Sequence, residues 1–165
     1  MVHRGILLWL DRSIANSEVN LMEKKKLVIG VLMDNHNLGV RVLKPFLEKA
    51  GFDVIYIGAR LNQEDFLRAA LETDADAVLV SSSGGHAQID ARGMRDKFRE
   101  AGLEKVRLYI GGNLVVGKQG RPWDEVVSMF KEMGFDRAYN STVSLEQIIK
   151  DFQADLAVES PGVGS

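Results

Sequence analysis

Three observations along this sequence predict a flavodoxin-like (Rossmann-like) α/β fold. Short apolar runs alternate with segments of helical period. The best of these runs are apolar at every position, the pattern of a strand covered on both faces. Glycine follows the last periodic residue of several helical segments, the usual place for a helix to stop. Strands alternating with helices imply a parallel sheet with right-handed crossovers. Five such units favour the strand order 2-1-3-4-5 with helices on both faces.

The first strand is expected over residues 27–33, Leu-Val-Ile-Gly-Val-Leu-Met. A helix over residues 38–50 follows, with Val42, Leu43, Phe46, Leu47 and Ala50 as its inward face and Gly51 as its stop. Pro45 inside it removes a donor and predicts a kink. Strands over 54–57, 77–80 and 106–110 repeat the apolar pattern, and 137–139 is a weaker fifth. The helix over 63–71 follows Asn62, a good N-cap, and the helix over 145–156 follows Ser144. Single helices are expected over 89–101 and 123–133, stopping at Gly102 and Gly134. Trp123 and Phe130 read as core, and Lys97, Arg99, Glu100 and Glu104 as a solvated helix face.

The 165 residues suit one domain, and 45% hydrophobic content can build its core without staples. With 21 basic and 23 acidic residues, a net charge of -2 gives no reason to expect nucleic acid or an anionic membrane surface. The absence of cysteine excludes disulfides, zinc thiolates and cysteine nucleophiles, and fits a reducing, cytoplasmic home. No apolar run approaches the roughly 20 residues of a membrane span. Residues 5–10, Gly-Ile-Leu-Leu-Trp-Leu, follow His3 and Arg4 but are too short for a signal-peptide core. Residues 1–22 are therefore expected to be an N-terminal extension, with Met22 a possible second start. Residues 23–157 are expected to form the domain and 158–165 a flexible tail.

In the 2-1-3-4-5 order, ligands bind beyond the carboxyl ends of the strands, where the chain reverses direction between strands 1 and 3. The loops there carry the unusual residues. Strand 1 leads into Asp34-Asn35-His36-Asn37-Leu38-Gly39, strand 3 into Ser81-Ser82-Ser83-Gly84-Gly85-His86, and strand 4 into Gly111-Gly112-Asn113-Leu114-Val115-Val116-Gly117. A flavodoxin phosphate loop, a receiver aspartate after strand 3 and a Gly-x-Gly-x-x-Gly fingerprint are all missing. What remains is Asp34-x-His36, a histidine with a carboxylate placed to take its second ring proton. The plainer reading is a loop histidine bonded to backbone. One histidine cannot build a tetrahedral zinc site. A macrocycle that fills its own equatorial positions needs only one axial ligand, and small residues in the facing loops leave room for it. His86 reads as an exposed loop histidine.

Asp34-x-His36-x-x-Gly39, Ser81-x-Ser83 and Gly111-Gly112 together resemble the Asp-x-His-x-x-Gly, Ser-x-Leu and Gly-Gly signature of cobalamin-binding domains. The segment Gly111-Gly112-Asn113-Leu114-Val115-Val116-Gly117-Lys118-Gln119 is closer to the small (S, or sigma) subunits of methylaspartate mutase, also called glutamate mutase. So are Ala50-Gly51-Phe52-Asp53-Val54 and Met133-Gly134-Phe135-Asp136-Arg137. The resemblance covers about residues 23–157.

It implies that His36 is the lower axial ligand to the cobalt of adenosylcobalamin and that Asp34 orients it. Met33, Asn35, Asn37 and Gly39 would complete the first loop. Ser81, with Ser82 and Ser83, would meet the buried benzimidazole, and Gly111, Gly112 and residues 113–117 would line the nucleotide tail. Ser83 departs from the family's leucine.

The implied activity is a radical carbon-skeleton isomerisation of L-glutamate and L-threo-3-methylaspartate. It is shared with a separate large (E, epsilon) subunit, in a heterotetramer of two small and two large chains. No catalytic side chain is assigned to this chain. A corrinoid carrier in methyl transfer, a cobalamin sensor and a cofactor-free interaction domain are the alternatives. Only 26 residues precede the first strand, too few for the helical bundle that such carriers place ahead of the cobalamin domain.

Overall fold

The computed structural model describes residues 24–115 and 121–158. Five parallel strands form one sheet in the order β2-β1-β3-β4-β5. They are β1 (Lys26–Val31), β2 (Asp53–Tyr56), β3 (Ala77–Ser81), β4 (Arg107–Gly111) and β5 (Arg137–Tyr139). The helices are α1 (Leu38–Lys49), α2 (Gln63–Thr73), α3 (Ala87–Asp90), α4 (Met94–Glu100), α5 (Trp123–Glu132) and α6 (Leu145–Leu156).

The period-two alternation of strand side chains divides the core into two layers. Val28, Val80 and Leu108 point to one face, where they meet Phe66 of α2, Phe98 of α4 and Phe130 of α5. Leu27, Ile29, Leu79 and Tyr109 point to the other, under α1 and α6. In that second layer Phe152 of α6 stacks on Tyr109 with ring centroids 4.2 Å apart and meets Phe52 and Tyr139 edge-on. Removing so central a ring typically costs about 3–5 kcal/mol.

The expected caps form. Asn62 and Asp65 make a reciprocal capping box, and Ser144 accepts from the Gln147 amide. Phe130 is fully buried, and Trp123 packs partly buried against the same layer. Lys97 on α4 pairs with Glu64 at the surface, and Glu104 lies in the turn after α4 rather than on its face.

Two expectations are corrected. The single helix over 89–101 is two, α3 and α4, because Gly93 adopts a φ of 80° that a continuing right-handed helix cannot hold. The inward face of α1 is Val40, Leu43 and Leu47, with Ala50 just beyond the helix end. Val42 and Phe46 are 44% and 48% exposed. Both sets have helical spacing, and packing against β1 and β2 selects one of them. The helix runs continuously from Leu38 to Lys49 through Pro45.

No helix among the described residues is long and apolar enough to cross a membrane. Residues 1–22, where an extension was expected, and all but Val158 of the tail expected over 158–165 lie outside the described residues, as do Val116 and Gly117 of the third loop.

Candidate functional site

Asp34 ties the carboxyl-edge loops together. Met33, just before it, has a φ of 56°, a left-handed conformation that costs a side-chain-bearing residue roughly 1–2 kcal/mol. The Met33 amide donates to Leu61 O at 2.9 Å, and the Asp34 carbonyl accepts from Arg60 N at 2.8 Å, so the turn is pinned to the loop after β2. The Asp34 carboxylate accepts from the His36 amide at 2.5 Å, from the His36 ring Nδ1 at 2.8 Å and from the Ser83 amide at 2.9 Å. One carboxylate thus joins the loops after β1 and β3. Partial burial opposes its charge, but the bonds from His36 and Ser83 outweigh that and hold its carboxyl below the usual 3.8.

A carboxylate can only accept, so the Nδ1 facing it carries the proton. In a neutral ring held this way, the nitrogen left with the lone pair is Nε2. The His36 side chain is 76% exposed, whereas Asp34 beneath it is 13% exposed. The pair is a half-buried carboxylate holding a projecting imidazole. Among the described residues no three His, Asp or Glu side chains are grouped to hold a metal ion. A metal at His36 would therefore have to bring its other ligands with it.

Beside His36 opens a cavity of about 290 Å³. It runs from the strand ends down between the sheet and helices α1 and α6. Val40, Leu43, Leu79 and Ile148 give it apolar walls, and Ser81, Asn113, Asn140 and Ser141 supply polar groups around it. Gly112 brings two strand ends together at its rim. At φ 122°, a Cβ there would lie 2.3 Å from the Ser82 carbonyl oxygen, so only glycine fits.

The structure gathers seven of the sequence-derived site residues around this cavity. They are His36, Gly39, Ser81 and Ser83, with Gly111, Gly112 and Asn113 opposite. Asp34 stands behind His36, bonded to its ring, and does not line the cavity. Met33 and Asn35 are exposed, and Asn37 precedes α1; none of the three lines the cavity. Ser82 is buried and contributes backbone to the β3–β4 junction. Leu114 is buried in the layer on the other face of the sheet, and Val115 packs partly buried against that layer. Sequence reasoning missed the far wall: Tyr139, Asn140, Ser141, Val143 and Leu145, with Ile148. The one sequence signal for it is that 140–144 follows a strand at the same edge and carries hydroxyl and amide side chains.

The B12 binding domain family pattern matches residues 24–121. The glutamate mutase sigma subunit of Carboxydothermus hydrogenoformans is 50% identical over 83% of this chain and 99% of its own length. That of Clostridium tetanomorphum is 48% identical over 84% of this chain and 100% of its own. The chain belongs to the family of glutamate mutase sigma subunits. Among solved structures, a cobalamin-binding protein of Desulfitobacterium hafniense superposes with a TM-score of 0.63 at 22% identity, covering 80% of this chain and 59% of that one. A receiver domain of Mycobacterium tuberculosis reaches 0.58 at 17% identity, covering 82% of this chain and 98% of that one. At such identities the likeness is of fold alone.

The site of this sigma-family chain suits the group that the family's B12 binding domain is named for. An imidazole held through Nδ1 projects beside a slot lined mostly by apolar side chains. Gly39, on the slot's wall, would place an added Cβ within 4 Å of no other atom. Neither packing nor a positive φ calls for a glycine there, and the bare position leaves room for a ligand to come close.

Proposed function

We propose that this chain holds adenosylcobalamin for a glutamate mutase, with His36 Nε2 as the lower ligand to cobalt and the nucleotide tail in the cavity between the sheet and helices α1 and α6. The observation that carries the reading is the Asp34–His36 pair standing at the mouth of that cavity. Asp34 fixes the tautomer and orientation of the ring and raises its basicity, as carboxylates behind ligating histidines do. Ser81 and Ser83 face the tail's base, and Gly39, Gly111, Gly112 and Asn113 let backbone approach it. When bound, the cofactor supplies an adenosyl radical by homolysis of its cobalt–carbon bond.

The chain's own part is to bind, orient and shield the lower face. No residue of it is assigned to substrate. A separate large subunit supplies that site, and the assembly is read as two small with two large chains. The name sigma subunit borne by its relatives supports a partner. The corrinoid-carrier alternative rests on structures about 20% identical, which share the fold.

The test is a titration of the purified chain with adenosylcobalamin, with and without a candidate large subunit. The expected result is a visible-spectrum change and co-elution of cobalamin with protein, stronger when both subunits are present. An unchanged spectrum and no co-elution with both present contradicts the reading.

A further inference from the structure

In the cavity beside His36, Asn140 is a polar group whose direction the fold itself settles. It follows β5 at the carboxyl edge and lines the cavity. The Tyr139 carbonyl accepts from the Gly112 amide at 3.1 Å, so the chain enters residue 140 beside the glycine pair. Asn140 Oδ1 accepts from the Thr142 amide at 3.1 Å and from the Thr142 hydroxyl at 2.9 Å. A backbone N–H can only donate, so the side-chain atom facing it is the oxygen and not the amide nitrogen. The side chain is therefore held in a local turn, with its oxygen committed and its Nδ2 directed away from Thr142. No residue among those described bonds to Nδ2.

The rest of the lining indicates what such a donor can meet. No lysine, arginine, aspartate or glutamate is among the described residues around the cavity. The Tyr139 hydroxyl is committed to Asp151. The hydroxyls of Ser81, Ser83 and Ser141 can donate or accept, whereas an amide nitrogen can only donate. A nucleotide tail presents its groups in a fixed order from tip to corrin: base, ribose, then phosphodiester. With the flat base between the apolar walls of Val40, Leu43, Leu79 and Ile148, the phosphodiester lies nearer the strand ends, where residue 140 stands. A phosphodiester is an anion that only accepts, and it must be hydrogen-bonded where water is displaced. With no lysine or arginine in the described lining, a neutral N–H donor is the group that can serve it.

We propose that Asn140 Nδ2 donates to a phosphodiester oxygen of the nucleotide tail, with Thr142 holding it in that direction; this rests on the reading of the cavity as the tail's site. Asn140→Asp tests it, because a carboxylate still accepts from Thr142 and keeps the turn while setting an anion against the phosphate. A urea titration of the free variant should match that of the wild type. With the large subunit present, affinity for adenosylcobalamin, read from the visible spectrum, should fall about 10- to 100-fold, the range for losing a hydrogen bond to a charged group. Asn140→Ala removes the donor without adding a charge, and should weaken binding in the same sense by less. Adenosylcobalamin carries one phosphorus. With protein in enough excess to saturate the cofactor, its phosphorus-31 resonance should differ between wild type and variant. Equal affinities of wild type and both variants would overturn the proposal. So would a lower affinity with coincident phosphorus resonances, which would put the effect of Asn140 away from the phosphate. Absence of binding by the wild-type complex would instead sink the reading of the cavity itself.

Discussion

Gly39 sits in the first turn of α1, where an alanine would meet no neighbouring atom. If a ligand's approach is what keeps the position bare, Gly39→Ala separates stability from function. The free chain should gain up to about 1 kcal/mol in a urea titration, since glycine inside a helix is the poorer choice. Its affinity for adenosylcobalamin should fall. Unchanged or tighter binding would place Gly39 outside the cofactor's reach. Ser83 poses the opposite case. Its amide, not its side chain, anchors Asp34, so the side chain can change without disturbing that bond. The side chain borders the mostly apolar cavity. Ser83→Leu should therefore add apolar contact with the tail and tighten binding about tenfold, equivalent to about 1.4 kcal/mol. Weaker binding of the leucine variant in the same titration would mean that the space is already filled. Behind both lies Asp34. Asp34→Asn keeps the ligand but loses the anionic partner of its ring, and activity with the large subunit should drop about 10–100-fold.

Helix α6 forms the far wall of the cavity and is latched to the sheet by charge. Asp155 accepts from Arg137 through two nitrogens, at 2.7 and 2.8 Å, and from the Tyr109 hydroxyl at 3.0 Å. Tyr139, which lines the cavity, donates its hydroxyl to Asp151 at 2.9 Å. Burial, then the neighbouring aspartates, push both tyrosines far above their ordinary values, so they remain donors at any working pH. The bonds from Arg137, with help from Tyr109, hold Asp155 below its usual 3.8 against partial burial. A lowered folded-state value means that stability is present above the unfolded value and lost as pH falls through the folded one. Asp155→Asn should cost roughly 1–3 kcal/mol at neutral pH. In denaturant titrations that difference should shrink below about pH 4; a difference that stays constant into acid would remove the ion pair as its source.

These elements also show how far the sequence could be read. The central strands β1 and β3 were legible because their buried residues form nearly unbroken apolar runs, and the order followed from the alternation of five strands with helices. The break at Gly93 was visible as a residue but not as a break, since glycine is also tolerated within helices. The inward face of α1 was ambiguous because two rows share the same period, and only the sheet decides between them. In the site, the three loops at the switch point stood out by composition. The wall from β5 and α6 did not, because Tyr139 and Ile148 read as ordinary core until the fold sets them around a cavity.

At the scale of the whole molecule the division of labour is simple. One face of the sheet is a closed core under α2 to α5. The other, under α1 and α6, opens at its carboxyl edge into the slot beside His36. On the proposed function, a chain built this way would grip the cofactor from below and leave its upper face to another protein. The claim on which this depends is that the His36 imidazole, and not the cofactor's own base, is bound to cobalt. The most direct measurement is electron paramagnetic resonance of the cob(II)alamin form, reconstituted with protein in which histidine alone carries nitrogen-15. Axial coordination by His36 predicts that each line, split into a triplet with ordinary histidine, becomes a doublet with the labelled protein, and that His36→Gly abolishes the label's effect. A triplet that persists in the labelled protein would show that the axial nitrogen comes from elsewhere, and would contradict the account at its centre.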